Sequence, residues 1–346
     1  MKQFILTSVV ILTIGTAFIF SIAPFSISVP RVKVGGFSFP IVEKFALPLP
    51  TKILFTGDVM LARDVEKKND IFSSRYPFIE VSDLFSEHDH VVVNFEGSIP
   101  KTHVPTPGMT FQFSVKESDV SSLPELGVSY ASLANNHARD YGTTGLQNTK
   151  KILSEHAIVP FGQSFSVATS SVSIIDSEYG TMALIGIDLV LSTPTDKELI
   201  EVFEYAKSIS DLQTVFVHWG AEYKLEHSAF QEKFATRFVD LGADLIVGHH
   251  PHVVQDIQKI DDVLIFYSLG NLVFDQYFSK DVQEGLTLSL SLGTTTEIVL
   301  IPVSTIGSKT QPREMALYER KLFLESLSKR SDQSLKESIL DGIIPF

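Results

Sequence analysis

Short β-rich runs, several of them followed at once by polar residues, recur along this chain of 346 residues and limit the folds open to it. KILFT precedes Gly57-Asp58, HVVVNF precedes Glu96, and QTVFV precedes His218. Helical stretches lie between some of the runs; in residues 228–241, apolar side chains recur at helical spacing. Strands that alternate with helices indicate an α/β core, in which sites lie beyond the carboxyl ends of the strands. An alternative explanation is that turns after strands are commonly polar. It accounts less well for the recurrence of histidine at three of the strand ends.

The residue types at the strand ends predict a metal site. Five of the ten histidines fall just after predicted strands, namely His137, His218, His249, His250 and His252. Asp58 and Glu96 add carboxylates at matching positions, and Asn136 can add a carbonyl oxygen. The chain has no cysteine, which excludes thiolate ligands, disulfides and a cysteine nucleophile. Imidazole and carboxylate suit Zn²⁺, Mn²⁺ and Fe, so we predict one or two divalent ions of unspecified identity. For each residue alone, a polar turn, a hydrogen-bonded structural histidine or a solvated His-rich loop is the alternative.

The N-terminal region predicts a membrane attachment. Residues 4–25 contain no charged side chain and would span about 33 Å as a helix, enough for a hydrocarbon core of roughly 30 Å. We expect an uncleaved anchor that places the protein at the cell membrane, single-pass, with its main domain extracytoplasmic. A cleaved signal peptide ending at Ser21-Ile22-Ala23 and a buried core helix are the alternatives.

Changes in composition divide the chain into four parts. The stretch after the apolar run holds four prolines and a Gly pair, which favours an extended linker, and the end of the chain is charged and helical in pattern near residues 313–328. The predicted parts are a transmembrane signal-anchor (1–27), an extended linker (28–50), a main domain (51–307) and a C-terminal helical tail (308–346). The net charge of −13 disfavours a nucleic-acid partner, because proteins that bind phosphate backbones carry basic patches.

Six sequence blocks carry a resemblance to a known family. They are FTGDVMLARDV (55–65), VVNFEGSI (92–99), LANNHARDYGTTGLQNT (133–149), VHWGAEY (217–223), LGADLIVGHHPHVVQ (241–255) and YSLGNLVFDQ (267–276). In this order they resemble the signature blocks of the CapA capsule-synthesis family, also called the poly-γ-glutamate synthesis protein family. The resemblance implies a calcineurin-like metallophosphoesterase fold, a four-layer α/β/β/α sandwich of two sheets flanked by helices. It also implies a role in making, exporting or anchoring an anionic capsule polymer.

The same resemblance implies roles for individual residues. His137 matches the acid that protonates a leaving oxygen, and either Asn94 or Glu96 stands at the bridging position. Met60 replaces a histidine ligand of the phosphoesterase pattern, which leaves open whether one ion or two is bound. The implied metal ligands are Asp58, Glu96, Asn136, His218, His250 and His252.

Several neighbouring residues have a functional and a structural interpretation. Arg63 could hold a carboxylate or phosphate of the substrate, or form a surface salt bridge. Asp140 could orient the imidazole of His137, or cap a helix. Glu222 could coordinate a metal, or face water. A similar choice between the site and the core or a turn applies to Trp219, Tyr223, Asn271 and Asp275.

Two functions are consistent with these residues. The first is a membrane-anchored, metal-dependent hydrolase of a phosphoester or of an amide in a γ-linked polymer, with His137, Asp140 and Arg63 as its catalytic residues. The second is a non-catalytic accessory subunit that binds polymer or metal. The expected partners are the capsule polymer or its precursor and membrane capsule-synthase subunits. A phosphodiesterase or nucleotidase unrelated to capsule is less supported, because Met60 replaces the first-motif histidine.

Overall fold

The computed structural model describes residues 31–34, 37–40, 48–107 and 110–346. The chain divides into two units, Met1–Leu47 and Pro48–Phe346. In the first unit, β1 (Arg31–Val34) and β2 (Phe37–Pro40) pair antiparallel within the predicted linker. The predicted anchor lies outside the described residues. Within the described ranges, no helix has the length and apolar character needed to cross a membrane.

The second unit contains both strands and helices throughout its length. Its strands are β3 (Thr51–Val59), β4 (His90–Phe95), β5 (Val128–Ser132), β6 (Val159–Phe161), β7 (Val172–Ser177), β8 (Gly180–Asp188), β9 (Leu212–His218), β10 (Leu245–His249), β11 (Ile257–Ile260), β12 (Val263–Phe266), β13 (Asn271–Val273), β14 (Glu284–Leu292), β15 (Glu297–Ser304), β16 (Arg313–Glu314) and β17 (Ile343–Pro345). Its helices are α1 (Arg63–Ile71), α2 (Ser82–Ser86), α3 (Glu117–Val120), α4 (Gly142–Glu155), α5 (Asp196–Ile209), α6 (Ala229–Asp240), α7 (Leu317–Arg330) and α8 (Lys336–Asp341).

The strands form two sheets. The larger has the order β16-β15-β14-β3-β4-β5-β6, with β13 beside β3 and β17 beside β15. In it, β3 to β6 run parallel, while β14 and β15 are antiparallel to their neighbours. The smaller sheet has the order β11-β12-β10-β9-β8-β7, and its inner strands β8, β9, β10 and β12 are parallel. Each sheet therefore collects the carboxyl ends of its parallel strands along one edge.

A continuous apolar layer joins the two sheets. Phe55 and Leu288 from the larger sheet pack in one buried cluster with Phe216 and Val247 from the smaller. The other face of the larger sheet is covered by α1, α2 and α4, and the other face of the smaller sheet by α5 and α6. The predicted α/β class is confirmed, and this layer order fits the two-sheet sandwich that the resemblance implies.

Helix α6 shows how closely a local pattern predicts an element. The helix expected over residues 228–241 begins after Ser228, whose hydroxyl accepts a hydrogen bond from the backbone N–H of Gln231 at 3.3 Å. The Gln231 side chain accepts in return from the N–H of Ser228 at 3.0 Å, a reciprocal cap that satisfies two helix-end donors. Phe238 is buried, but Phe230 remains 42% exposed, so the apolar face is narrower than its spacing indicates.

The C-terminal residues complete the inter-sheet core. Three α7 side chains, Phe323, Leu324 and Leu327, belong to the buried cluster between the sheets. The expected helix near residue 313 begins instead at Leu317, because residues 313–314 form β16 and pair with β15. The last strand, β17, also pairs with β15. The domain boundaries assigned from composition remain predictions.

The inter-sheet layer predicts a large effect of one truncation. Phe216 is buried, with ring centroids 5.6 Å from Phe161 and 6.3 Å from Phe55. Phe216→Ala should lower the free energy of unfolding by about 3–5 kcal/mol, because it leaves a cavity between the sheets. Phe72→Ala, a control at a largely exposed ring, should cost less than about 1 kcal/mol. Urea unfolding measures both, and equal losses would contradict this account of the core.

Candidate metal centre

Strand register places the polar residues of both sheets at one edge of the molecule. In the larger sheet, Asp58 at the end of β3 lies opposite Asn94 on β4 and opposite Asn271 on β13. The close approach of β13 requires Gly57, because a Cβ there would lie 2.2 Å from the carbonyl oxygen of residue 270. In the smaller sheet, His218 at the end of β9 lies opposite Asp188 and His249. The two sets of strand ends meet, as the α/β pattern predicts.

Asn94 connects the two sheets at the centre of the site. Its Nδ2 donates to Asp58 Oδ1 at 2.8 Å and to Glu96 Oε1 at 3.1 Å, and lies 3.2 Å from His218 Nδ1. Its Oδ1 accepts from Asn135 Nδ2 at 3.1 Å. All five side chains are buried. The sequence left Asn94 and Glu96 as alternatives for one position; the structure brings both into the site, with Asn94 as the donor that separates two carboxylates.

Asp58, Glu96 and His218 form a first group of metal donors. One ligand atom from each lies within 4.8 Å of the others. His218 Nε2 lies 2.8 Å from Asn136 Oδ1, which adds the predicted amide oxygen to this group. Glu96 Oε2 is buried without a hydrogen-bond partner. Buried polar atoms nearly always have a hydrogen-bond partner, so this unpartnered oxygen is available to coordinate a metal ion.

Burial and neighbouring charge separate the pKa values of these groups. Burial raises the pKa of Glu96 well above its usual value, and the charge of Asp58 raises it further. Burial also acts to raise the pKa of Asp58, but the hydrogen bond and charge of His252 outweigh it and hold that pKa below its usual value. Burial lowers the pKa of His218 well below its usual value, which keeps the imidazole neutral. A neutral imidazole has a lone pair available for a metal.

Glu222, His250 and His252 form a second group of donors, also with one atom each within 4.8 Å. The rings of His218 and His250 lie 4.8 Å apart, and His252 Nδ1 lies 3.0 Å from Asp58 Oδ2, so the two groups are contiguous. Burial lowers the pKa of His250 to about 4. The six predicted metal ligands therefore come together in one site.

His137 lies beside the first group in a fixed orientation. Its Nδ1 is 3.0 Å from Asp140 Oδ2, and its ring stacks on Phe113 at 4.1 Å. The same carboxylate oxygen accepts from the backbone N–H of Phe113 at 2.6 Å. Asp140 therefore orients the imidazole, and the helix-cap alternative is not observed, because the N-cap of α4 is Tyr141.

Comparisons with known proteins agree with the motif blocks. The family model described as "Bacterial capsule synthesis protein PGA_cap" matches residues 52–276. This chain belongs to that family. It is 30% identical over 312 residues to "PGA biosynthesis protein CapA" of Bacillus subtilis (strain 168), covering 84% of this chain and 81% of that protein. It is 31% identical over 289 residues to "Capsule biosynthesis protein CapA" of Bacillus anthracis, covering 77% and 70%.

More distant similarities are weaker. A "Probable polyglutamine synthesis accessory protein" of Mycobacterium tuberculosis (strain ATCC 25618 / H37Rv) is 24% identical over 249 residues, covering 64% of this chain and 65% of that protein. Among solved structures, a "novel phosphatase" of Mycoplasma pneumoniae is 16% identical with a TM-score of 0.45, covering 78% of this chain and 94% of that one.

In this member of the PGA_cap family, Arg63 forms a buried ion pair. Its guanidinium pairs with Asp275, and both side chains are at most 9% exposed. The same group lies over the ring of Phe113, with its central carbon 4.7 Å from the centroid, and over the ring of Phe274 at 5.6 Å. Phe274 in turn packs on His252 at 4.7 Å. The prediction of a surface salt bridge for Arg63 is therefore wrong, because the pair is buried and Arg63 lies over two rings that pack on His137 and His252.

Three other predicted residues divide between site and core. Asn271 contributes, because its Oδ1 lies 3.0 Å from His252 Nδ1. Tyr223 lies at the rim, 42% exposed, with its hydroxyl accepting from Gln276 at 3.1 Å. Trp219 is buried, and its indole N–H donates to a backbone carbonyl at 2.8 Å, so it belongs to the core.

Two residues have roles that strand-end position alone does not separate. His249 is the last residue of β10, but its ring stacks on Phe216 at 4.1 Å inside the inter-sheet layer. Asp188 received no role from the sequence, yet it ends β8 opposite His218 with one carboxylate oxygen unpartnered. Burial raises the pKa of Asp188 to about 6. Its place after the run TMALIGI was the available signal.

The position of Asn94 predicts a stability effect that depends on metal. Asn94→Ala should lower the free energy of unfolding by about 2–4 kcal/mol without metal, because buried acceptors lose their donor. Saturating Mn²⁺ should reduce that loss, since a cation supplies the missing positive partner. Urea unfolding with EDTA and with Mn²⁺ measures the difference. Asn69→Ala, at a buried asparagine on α1, should show the same loss in both conditions; an Asn94→Ala loss independent of Mn²⁺ would contradict the assignment.

Proposed function

We propose that this protein acts in the synthesis, export or anchoring of an anionic capsule polymer of the poly-γ-glutamate type, through a divalent-metal site of hydrolase type. The observation that carries the proposal is the convergence of Asp58, Glu96 and His218 around the Asn94 amide, beside an oriented imidazole. Membership in the PGA_cap family and the names of the Bacillus relatives support the polymer class.

The residues present fit a divalent cation. The donor set contains only oxygen and nitrogen atoms, and Glu96 Oε2 is buried with no partner. A buried carboxylate pair is costly without a compensating positive charge. Asp58, Glu96, Asn136 and His218 would hold the ion, and a divalent cation supplies Lewis acidity toward a phosphoryl or carbonyl oxygen.

The chain's own residues provide proton transfer beside this site. Because His137 Nδ1 is bound to Asp140, Nε2 is the nitrogen that faces Asn136, at 3.2 Å from its Nδ2. We assign His137 Nε2 the transfer of a proton to the leaving oxygen or nitrogen of the substrate, and Asp140 the orientation of the ring. Arg63 is engaged by Asp275, so we assign it the positioning of the aromatic rings that pack on His137 and His252.

The membrane and the polymer set the context of the reaction. The uncharged run over residues 4–25 supports an anchor that holds the domain outside the cytoplasm, next to membrane capsule-synthase subunits. The net charge of −13 opposes contact with a polyanion unless cations bridge the two. A metal centre would provide such a bridging cation, because it places positive charge where the polymer would bind.

A non-catalytic accessory role is the second candidate. Met60 supports it: the side chain is fully buried, and its sulfur accepts from the N–H of Ala62 at 3.0 Å, so the segment after β3 presents one fewer metal donor to the site. The Mycobacterium tuberculosis relative is also named as an accessory protein. In that role the metal centre binds polymer while other subunits perform the chemistry.

One experiment separates the two functions. The full chain is assayed for Mn²⁺ binding and for hydrolysis of p-nitrophenyl phosphate and of γ-linked polyglutamate. We expect His137→Ala to keep Mn²⁺ binding and to lose about 10²–10⁴-fold in hydrolysis, the usual contribution of an acid–base group. His218→Ala should lose both, and His156→Ala, at the end of α4, should keep both.

The outcomes are distinct. Absence of Mn²⁺ binding by the full chain, or hydrolysis unaffected by EDTA, would contradict the metal-dependent site. Mn²⁺ and polymer binding without hydrolysis of either substrate would reject the hydrolase and support the accessory role.

A further inference from the structure

Tyr223 lies at the rim of the site, between two rings that fix its position. Its ring centroid is 6.2 Å from that of His252 and 5.1 Å from that of Phe278, which meets it edge to face. Its backbone N–H donates to the carbonyl of Pro251 at 2.8 Å. The φ of Tyr223 is 64°, in the left-handed region that residues with a Cβ rarely adopt, so these contacts hold the tyrosine in a conformation that a free loop would avoid.

A chain of hydrogen bonds joins the Tyr223 hydroxyl to the centre of the site. His252 Nδ1 lies 3.0 Å from Asn271 Oδ1. Asn271 Nδ2 donates to Gln276 Oε1 at 3.1 Å, and Gln276 Nε2 donates to the Tyr223 hydroxyl at 3.1 Å. The chain therefore connects β13 of the larger sheet with the loop that follows β9 of the smaller sheet.

One backbone carbonyl sets the direction of both amides in this chain. The carbonyl of Val282 can only accept, and Asn271 Nδ2 lies 3.0 Å from it, so the Asn271 amide presents its nitrogen there and its oxygen to His252. Gln276 must then accept from Asn271 through its oxygen, which leaves its NH₂ group to donate to Tyr223. A tyrosine hydroxyl both accepts and donates. Because that of Tyr223 accepts from Gln276, its own proton is not used in the chain.

This phenol proton can serve a bound substrate. Within the described residues, the Tyr223 hydroxyl makes no hydrogen bond in which it is the donor. The Glu222 carboxylate is the neighbouring group that could accept the proton instead. Arg63, the cation considered for binding a carboxylate or phosphate, is already engaged by Asp275. An anionic substrate therefore needs another donor at this site, and Tyr223 has one that is oriented and partly exposed.

We propose that the Tyr223 hydroxyl donates a hydrogen bond to an anionic oxygen of the substrate, a carboxylate or phosphoryl oxygen, and that Asn271 and Gln276 orient the hydroxyl for this contact. Hydrogen bonds to charged acceptors are roughly twice as strong as those between neutral groups. The phenol supplies such a bond without adding a charge to the rim. This inference rests on the proposed function, because it assigns a contact with the anionic substrate of the same site.

The test measures anion binding by the full chain. Inorganic phosphate and a γ-linked oligoglutamate are titrated calorimetrically into the wild type, Tyr223→Phe and Tyr205→Phe, with Mn²⁺ and again with EDTA. Tyr205 on α5 is a matched control, because its side chain is 39% exposed against 42% for Tyr223. We expect Tyr223→Phe to weaken the binding of at least one anion by about tenfold or more, the value of a hydrogen bond to a charged group. Tyr205→Phe should leave both anion affinities unchanged, and both variants should keep the Mn²⁺ affinity of the wild type.

A second variant tests the orientation of the hydroxyl. Gln276→Glu keeps an acceptor for Asn271 but replaces the donor to Tyr223 with a carboxylate oxygen, which turns the phenol proton toward residue 276 and away from the substrate. Gln276→Glu should therefore weaken anion binding more in the wild type than in Tyr223→Phe, where only the added charge acts. Equal losses in the two backgrounds would overturn the positioning role.

The outcomes separate this inference from the proposed function. Bound Mn²⁺ together with unchanged affinities of Tyr223→Phe for both anions, as expected if the phenol proton serves Glu222, would overturn the inference and leave the metal site intact. Anion binding that depends on Tyr223, on a chain that binds no Mn²⁺, would support the inference and overturn the proposed function. If the wild type bound neither anion, the inference would be overturned whether or not Mn²⁺ bound.

Discussion

A buried network around Asn94 is the interaction on which the site depends. Its Nδ2 contacts His218 of the smaller sheet and two carboxylates of the larger sheet's strand ends, Asp58 and Glu96. All three distances are at most 3.2 Å. The contact exists because β3, β4 and β9 end at the same edge, and because the apolar layer holds the sheets face to face. If one sheet slid relative to the other, the candidate metal ligands from the two sheets would separate, and neither group of ligands would form.

The energetic character of the site follows from this burial. Asp58 and Glu96 have no exposed surface, and their pKa values move in opposite directions. Without a cation, the favoured state keeps one carboxylate charged beside a neutral partner, which is the usual solution for two acids that share a site. A bound divalent ion would instead neutralise both carboxylates. We therefore expect metal binding to raise the folding stability of this protein.

Much of the site could be predicted from the sequence, for a physical reason. Parallel strands deliver their final residues to one edge, so Asp58, Glu96 and His218 could be grouped without knowledge of the sheet order. The adjacent Asn136 and His137 entered for the same reason. The α6 boundary was also predictable, because a serine followed three residues later by a glutamine can form a reciprocal cap.

Other features depend on side-chain direction, which strand-end position does not specify. His249 ends β10 and stacks on Phe216 in the inter-sheet layer, whereas His250 follows the strand with a left-handed φ of 97° and places its ring 4.8 Å from that of His218. Arg63 and Asp275 form a buried ion pair although they lie far apart in the chain, and no local sequence pattern predicts that pair. Glu222 lies near His250 and His252 because a backbone hydrogen bond from Tyr223 to Pro251 joins their two loops. No sequence pattern predicts that contact.

We propose above all that Asp58, Glu96 and His218 bind a divalent cation. Anomalous diffraction from crystals soaked in Mn²⁺ tests it most directly. We expect an anomalous peak bounded by a carboxylate oxygen of Asp58, a carboxylate oxygen of Glu96 and a ring nitrogen of His218, each at about 2.0–2.3 Å, the range of such bonds. A fully soaked crystal with no peak among these three side chains, or with its strongest peak elsewhere on the protein, would contradict the claim.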